Sequence, residues 1–265
     1  MRAAYLGPQG SYSHLAATKM TPTAELFACA NFRAVIGAVE SGECDCAIIP
    51  IENTLNGCVL QNIDLLQAAE GLVAVEEAVL PLDHRLATLE GAKYGGISRI
   101  YSHEQPLAQC AEYLARNFPE AQLIATPSTA ASLDMVNTLS DAAIVGAHVK
   151  RAGITLSDGN IADGKNNFTH FLLIRRGSLD GGKHSSKIYF SVTCTHKSGA
   201  LLDILEPMRA GGLNMTKIQS RPIKDRAGEY RFFIEVEGDF AESSVREVLD
   251  RVKNSSKSFK LLGAY

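Results

Sequence analysis

No apolar run in this chain approaches the roughly 20 residues that cross a bilayer as a helix, which excludes a helical membrane protein. Net charge is small as well. With 26 Lys and Arg against 29 Asp and Glu, a net charge of -3 and a pI near 6.2, nothing draws the chain to nucleic acid or to anionic membranes. The six cysteines (Cys29, Cys44, Cys46, Cys58, Cys110, Cys194) are scattered through apolar surroundings and form neither a disulfide framework nor a zinc set. Cys44-Asp45-Cys46 puts two thiols on one strand face, with no nearby Cys or His pair to complete a tetrahedral site, so no metal is expected. The opening Met1 to Leu6 runs straight into Gly7-Pro8, too short for a signal peptide, and a cytoplasmic protein is expected. What remains is a small-molecule partner.

Its 265 residues, 46% of them hydrophobic, suffice for a sizeable core and more than one domain. As far as about Arg176, short apolar strands alternate with helical stretches, which predicts an α/β fold with a mostly parallel sheet. Strands are predicted at 3–6, 44–49, 72–80, 97–101, 121–125 and 142–145, and helices at 15–19, 32–39, 59–69, 107–117 and 129–138. From Arg175 to Ser186, Gly, Ser and charge replace this periodicity and mark a linker. Beyond it the pattern reads βαββαβ: strand 187–194, helix 199–210, strands 214–222 and 230–236, helix 241–252 and strand 258–262. That order predicts an α+β ferredoxin-like unit.

Polar residues gather where strands give way to helices. Gly7-Pro8-Gln9-Gly10-Ser11-Tyr12-Ser13-His14 offers free amides and two hydroxyls suited to an anion. Only two of the glycines of a dinucleotide fingerprint are present, and Pro8 removes an amide, so no nucleotide cofactor is read here. Glu52-Asn53-Thr54 follows the strand 44–49. Asn53 brings both a donor and an acceptor, whereas a Glu touching an anionic ligand would repel it, so Glu52 is assigned a supporting role. Ser102-His103-Glu104-Gln105 and Ser128-Thr129 supply two further junctions, where a helix N-cap is the competing reading. Asn166-Asn167-Phe168-Thr169-His170-Phe171 enters the last apolar run of the region.

Taken together and in this order, these segments resemble the signature of the prephenate dehydratases. That family opens with a similar Gly-Pro-x-Gly-Thr/Ser-aromatic-Ser segment, carries a Ser-His-x-Gln segment, and usually reads Thr-Arg-Phe where this chain has Thr169-His170-Phe171. The resemblance implies a catalytic region at 1–176 with two periplasmic-binding-protein-like subdomains, one of about 1–78 plus 161–176 and one of about 79–160. It also implies a regulatory ACT domain at 187–265. The implied reaction is loss of carbon dioxide and water from prephenate to give phenylpyruvate in phenylalanine biosynthesis, with no cofactor. By resemblance Thr169, Glu52 and Asn53 are catalytic, and Ser11, Ser13, Thr54, Ser102, His103, Gln105, Ser128, Thr129 and Phe171 bind substrate.

In the C-terminal unit, Ser198-Gly199-Ala200-Leu201-Leu202 and Gln219-Ser220-Arg221-Pro222 look like the two amino-acid-binding motifs of ACT domains. The resemblance therefore implies Gly199, Ala200, Leu201, Gln219, Ser220, Arg221 and Pro222 as contacts for L-phenylalanine, an allosteric inhibitor, in a homodimer or homotetramer. Gln219 stands where the family's motif usually begins with Glu, which removes a negative charge facing an ammonium group. The alternatives are an arogenate dehydratase, whose substrate differs only in an amino group for a keto group, or a non-catalytic amino-acid-responsive binding protein.

Overall fold

The computed structural model describes residues 1–164, 166–179, 184–223 and 228–265. The chain divides into two compact units. Met1–Val35, Ile48–Gly57 and Ala78–Phe171 form the first; Ile36–Ala47, Cys58–Glu77 and Leu172–Tyr265 form the second.

In the first unit the strand Arg2–Leu6 pairs in parallel with Glu25–Cys29, and the helix Tyr12–Met20 lies between them in sequence. A five-stranded sheet follows the order Ile154–Leu156, His84–Leu89, Asp141–Gly146, Arg99–Ser102, Gln122–Ala125. Its first two pairings are antiparallel and its last two parallel, so the expected mostly parallel sheet is mixed here. Side chains alternate between two cores: Leu86, Ile100, Ala142 and Ile144 enter one, Ala87, Tyr101, Ala143 and Val145 the other. Burial on both faces explains why this sheet's central strand is an unbroken apolar run.

Two predicted helices are altered by local polar groups. The single helix expected at 107–117 is two, Glu104–Gln109 and Ala111–Asn117, because the Asp163 carboxylate accepts from the Glu112 and Tyr113 amides, each at 2.9 Å, and starts a new helix there. The helix expected at 129–138 is only a 3₁₀ turn, Ala131–Met135. The Ser132 hydroxyl donates to the Thr129 carbonyl, and the Asp141 carboxylate takes the Asn137 and Thr138 amides, so these groups are withdrawn from a helical ladder. The strands Glu25–Cys29, His84–Leu89 and Ile154–Leu156 had no counterpart in the sequence reading.

The second unit follows the predicted βαββαβ order, with strands Lys187–Thr193, Met215–Pro222, Tyr230–Glu237 and Ser258–Ala264 and helices Ala200–Ala210 and Ser243–Ser255. Its strands pair antiparallel in the order 215–222, 230–237, 187–193, 258–264. Val245, Val248, Leu249 and Val252 recur at helical spacing and pack with Ile204 and Met208 on Ile188, Phe190, Val192, Ile234 and Val236. Part of the predicted linker, residues 180–183, lies outside the described residues.

The last strand also meets Leu72–Pro81 in a parallel bridge between Gly263 and Ala74. A Cβ at Gly263 would sit 2.6 Å from the Ala74 Cβ and 2.8 Å from its carbonyl oxygen. Backbone cannot yield as a flexible side chain does, so Gly263→Ala is expected to destabilise the fold by about 1–3 kcal/mol, read as a lower urea midpoint with an unchanged slope. Among the described residues, no helix is long and apolar enough to cross a membrane, and no cluster of His, Cys, Asp or Glu is arranged to hold a metal.

Candidate active site

The first unit holds a cleft of about 270 Å³ lined by four segments that the sequence places at strand-to-helix junctions or strand ends: 6–13, His103 with Gln105, 127–129, and Gly146 with His148. Ser11 caps the helix Tyr12–Met20, its hydroxyl oxygen accepting from the His14 amide at 3.2 Å. Gly10 reaches this turn with φ of 87°, a conformation that disfavours any side chain. His103 caps Glu104–Gln109, accepting from the Gln105 amide at 3.2 Å, and the Ser128 hydroxyl accepts from the Ala131 amide at 3.0 Å.

Among the described residues, the lining contains no Asp, Glu, Lys or Arg. Burial lowers the pKa of His148, which the Gly10 and Ser11 backbone only partly offsets, so near pH 7 its imidazole is neutral. Its Nε2–H donates to the Gly10 carbonyl at 2.9 Å, which leaves Nδ1 as an acceptor. Recognition in this cleft therefore rests on hydroxyls, amides and a neutral ring.

A second set of polar groups is buried in the same unit. The Asn53 amide nitrogen donates to the Asn167 Oδ1 at 2.8 Å, the Phe168 carbonyl at 3.0 Å and the Thr169 Oγ1 at 3.0 Å. Its Oδ1 accepts from the Leu55 amide, the Asn56 amide and the Asn56 side chain, so the orientation of this side chain is fixed from both ends. Because Thr169 accepts from Asn53, its own proton is left to be donated. The network continues through Asn167, which donates to the Gln109 Oε1 at 3.1 Å, and through the His84 Nε2–H, which reaches the same oxygen at 2.8 Å. His84 Nδ1 lies 3.4 Å from the Tyr12 hydroxyl, and Tyr12 both lines the cleft and donates to the Asp83 carbonyl at 3.0 Å. Burial, then the Asp83 charge, raises the Tyr12 pKa, while burial lowers that of His84, so both stay neutral near pH 7.

A family model of prephenate dehydratase matches residues 3–178. The chain belongs to the prephenate dehydratase family. A prephenate dehydratase of Lactococcus lactis subsp. lactis (strain IL1403) is 34% identical over 273 residues, covering 100% of this chain and 97% of the relative. Among solved structures, a prephenate dehydratase of Arthrobacter aurescens in complex with L-Phe superposes with a TM-score of 0.88 at 27% identity, covering 100% of this chain and 90% of that one. GqqA, described as a novel type of quorum quenching acylase, superposes with a TM-score of 0.89 at 25% identity, covering 100% of this chain and 97% of that one.

Of the residues that resemblance to prephenate dehydratases pointed to, Ser11, Ser13, His103, Gln105, Ser128 and Thr129 come together around the cleft. Asn53 and Thr169 meet each other but not the cleft lining, to which the network joins them. Thr54 exchanges hydrogen bonds with the Phe168 backbone, Ser102 is buried and donates to the Ile144 carbonyl, and Phe171 is a core residue. Glu52 is half-buried between the buried Ile51 and Asn53. His170 is half-buried between the buried Thr169 and Phe171. The reading of segments missed Tyr12, His84, Gln109, His148 and Asn167 as site residues, although all but His84 and His148 stand inside segments that carried the resemblance.

In the second unit, Gly199, Ala200 and Leu201 line a cavity of about 350 Å³ together with Cys194, His196 and Tyr230. Gly199 is the N-cap of Ala200–Ala210, with φ of 79° and no side-chain hydrogen bond to the first amides. Arg221 and Pro222 line a different cavity, and the Gln219 side chain turns back to the Ser220 carbonyl at 2.9 Å. Among the described residues of one chain, the two segments that resemble amino-acid-binding motifs do not share a cavity.

Proposed function

We propose that the charge-free cleft and the Asn53–Thr169 pair together carry the decarboxylating dehydration of prephenate to phenylpyruvate. As the ring carboxylate leaves as carbon dioxide, the electrons of its C–C bond enter the ring, the C–O bond at the opposite carbon breaks, and the hydroxyl takes a proton and leaves as water. Aromatisation supplies the driving force. The protein must hold two carboxylates and ease the departure of hydroxide, with no need of a metal or a strong base.

The observation that carries this reading is the direction of the 3.0 Å hydrogen bond from Asn53 to Thr169. A hydroxyl oxygen that accepts from an amide is a better donor through its own proton, so Thr169 is polarised toward a departing hydroxyl. Ser11, Gln105, Ser128 and Thr129 suit the substrate carboxylates, and the absence of Asp and Glu among the described lining residues avoids repulsion. Glu52 is left a supporting role. The test is formation of phenylpyruvate from prephenate by the purified chain; no turnover would remove the reading and separate this protein from its relatives.

Gly146 offers a further check on the cleft. A Cβ there would fall 2.4 Å from His148 Cε1 and 3.2 Å from Tyr12 Cζ. Because His148 is tied to Gly10, moving its ring disturbs the glycine turn under Ser11, and Gly146→Ala is expected to lower kcat/KM about 10²-fold with the fold retained.

The same proposal extends to architecture and control. Residues 1–176 are read as the catalytic region, with subdomains of about 1–78 plus 161–176 and 79–160 in a periplasmic-binding-protein-like arrangement, and residues 187–265 as an ACT domain in a cytoplasmic protein. Phenylalanine would place its carboxylate on the uncapped amides after Gly199, with Gln219 to Pro222 contributed by the adjoining subunit of a homodimer or homotetramer. Its effect depends on binding two arrangements unequally. Added phenylalanine should lower turnover, and light scattering that shows a monomer at micromolar concentration would defeat this part alone.

A further inference from the structure

The cavity beneath Arg221 is not used by the reaction, and two of its charged groups, Arg231 and Asp64, lie outside the segments that resemble effector motifs. Arg221 and Arg231 stand directly opposite each other on antiparallel strands, so their side chains leave the sheet on the same face. Like charges in this position repel. Asp64, on the helix Leu60–Ala68, answers only Arg221: the guanidinium Nε donates to Oδ1 at 3.3 Å and Nη2 pairs with Oδ2. Arg231 Nε is buried and has no hydrogen-bond partner among the described residues. The cavity they border holds about 390 Å³, and Asp64, Gln67, Ala68, Pro222 and Ile223 complete its wall.

Among the described residues, two guanidiniums and one carboxylate leave this wall one positive charge in excess. Burial, opposed by the Glu70 and Glu40 charges and helped by that of Arg231, lowers the pKa of Lys260, which is itself held by the Gln67 carbonyl at 2.6 Å. A guanidinium edge with a buried, unmet N–H is built to take an oxygen pair from a planar or tetrahedral anion. A buried donor left unmet is costly, which favours whatever fills it.

We propose that this cavity binds a compact oxyanion, inorganic phosphate or a small dicarboxylate, with Arg231 as its main ligand and Arg221 and Gln67 beside it. The site is distinct from the Gly199 cavity, although Arg221 and Pro222 are shared with the contacts proposed for phenylalanine. Calorimetric titration of the full chain with phosphate and, separately, with malonate in low-salt buffer tests it. Saturable binding of at least one is expected, weakened at least tenfold in Arg231→Gln and by a smaller but measurable factor in Arg231→Lys. Preference for phosphate or for malonate identifies the source of the anion. Absence of saturable binding for both, or affinity unchanged in both Arg231 variants, would each overturn the proposal. If Arg231→Gln does not fold, the comparison of the natural protein with Arg231→Lys still decides it: the single ammonium should lose at least part of the affinity, and equal affinity would count against a guanidinium-specific site.

Discussion

Thr169→Ala should lower kcat for phenylpyruvate formation by about 10²–10⁴-fold, the range in which removal of a positioned proton donor falls, while KM for prephenate changes little. The split follows from what the hydroxyl is proposed to do: it meets charge that develops on the leaving oxygen and is absent in the bound substrate. Thr169→Ser keeps the oxygen and its bond from Asn53, and should recover most of the rate. The alanine variant should stay folded. Its loss is one hydrogen bond, worth about 1 kcal/mol, because Asn53 retains the Asn167 and Phe168 acceptors. A fall in rate matched by an equal rise in KM would instead make Thr169 a binding residue.

Much of the fold was readable because it rests on local periodicity. The helix Ser243–Ser255 repeats Val245, Val248, Leu249 and Val252 on one face, and this pattern alone located the second helix of the C-terminal unit. Where periodicity failed, a polar group from elsewhere in the chain had intervened. Asp163 lies some 50 residues from the amides at which it divides the helix expected at 107–117. The edge strand Ile154–Leu156 is only three residues long and shows no alternation to read.

The candidate site divides the same way. Ser11, His103 and Ser128 were named through the family resemblance, and the competing cap reading describes them too, since each accepts from an amide at the start of a helical turn. The buried network was not named, since its bonds join residues 114 and 58 positions apart and leave no periodic trace. Gln109 illustrates the limit: it lies inside the predicted helix 107–117 with nothing local to single it out, and only the fold brings Asn167 and His84 to its carbonyl oxygen. Strand alternation is visible at His170, which is half-buried between the buried Thr169 and Phe171.

Asn53→Asp should cost about 10²–10³-fold in kcat with the native fold kept, a loss comparable to removal of an oriented hydrogen-bond donor. The two side chains have nearly the same shape, so the change is one of hydrogen-bond direction. Asn53 now donates to three acceptors, the Asn167 Oδ1, the Phe168 carbonyl and the Thr169 hydroxyl oxygen. An ionised Asp has no proton to give. The Phe168 carbonyl cannot become a donor and would face a negative oxygen, whereas Thr169 can turn and donate its proton to the carboxylate. That rotation spends on the protein the proton proposed for the substrate. The Leu55 and Asn56 donors would still bind the other carboxylate oxygen, which holds the loop in place. Burial without its former acceptors should raise the new carboxyl's pKa, so that at lower pH the protonated form regains one donor and part of the rate. A variant whose kcat rises as pH falls, while the natural enzyme's does not, would place the Asn53 N–H in the chemistry; an unchanged rate for Asn53→Asp would show that polarisation of Thr169 contributes nothing.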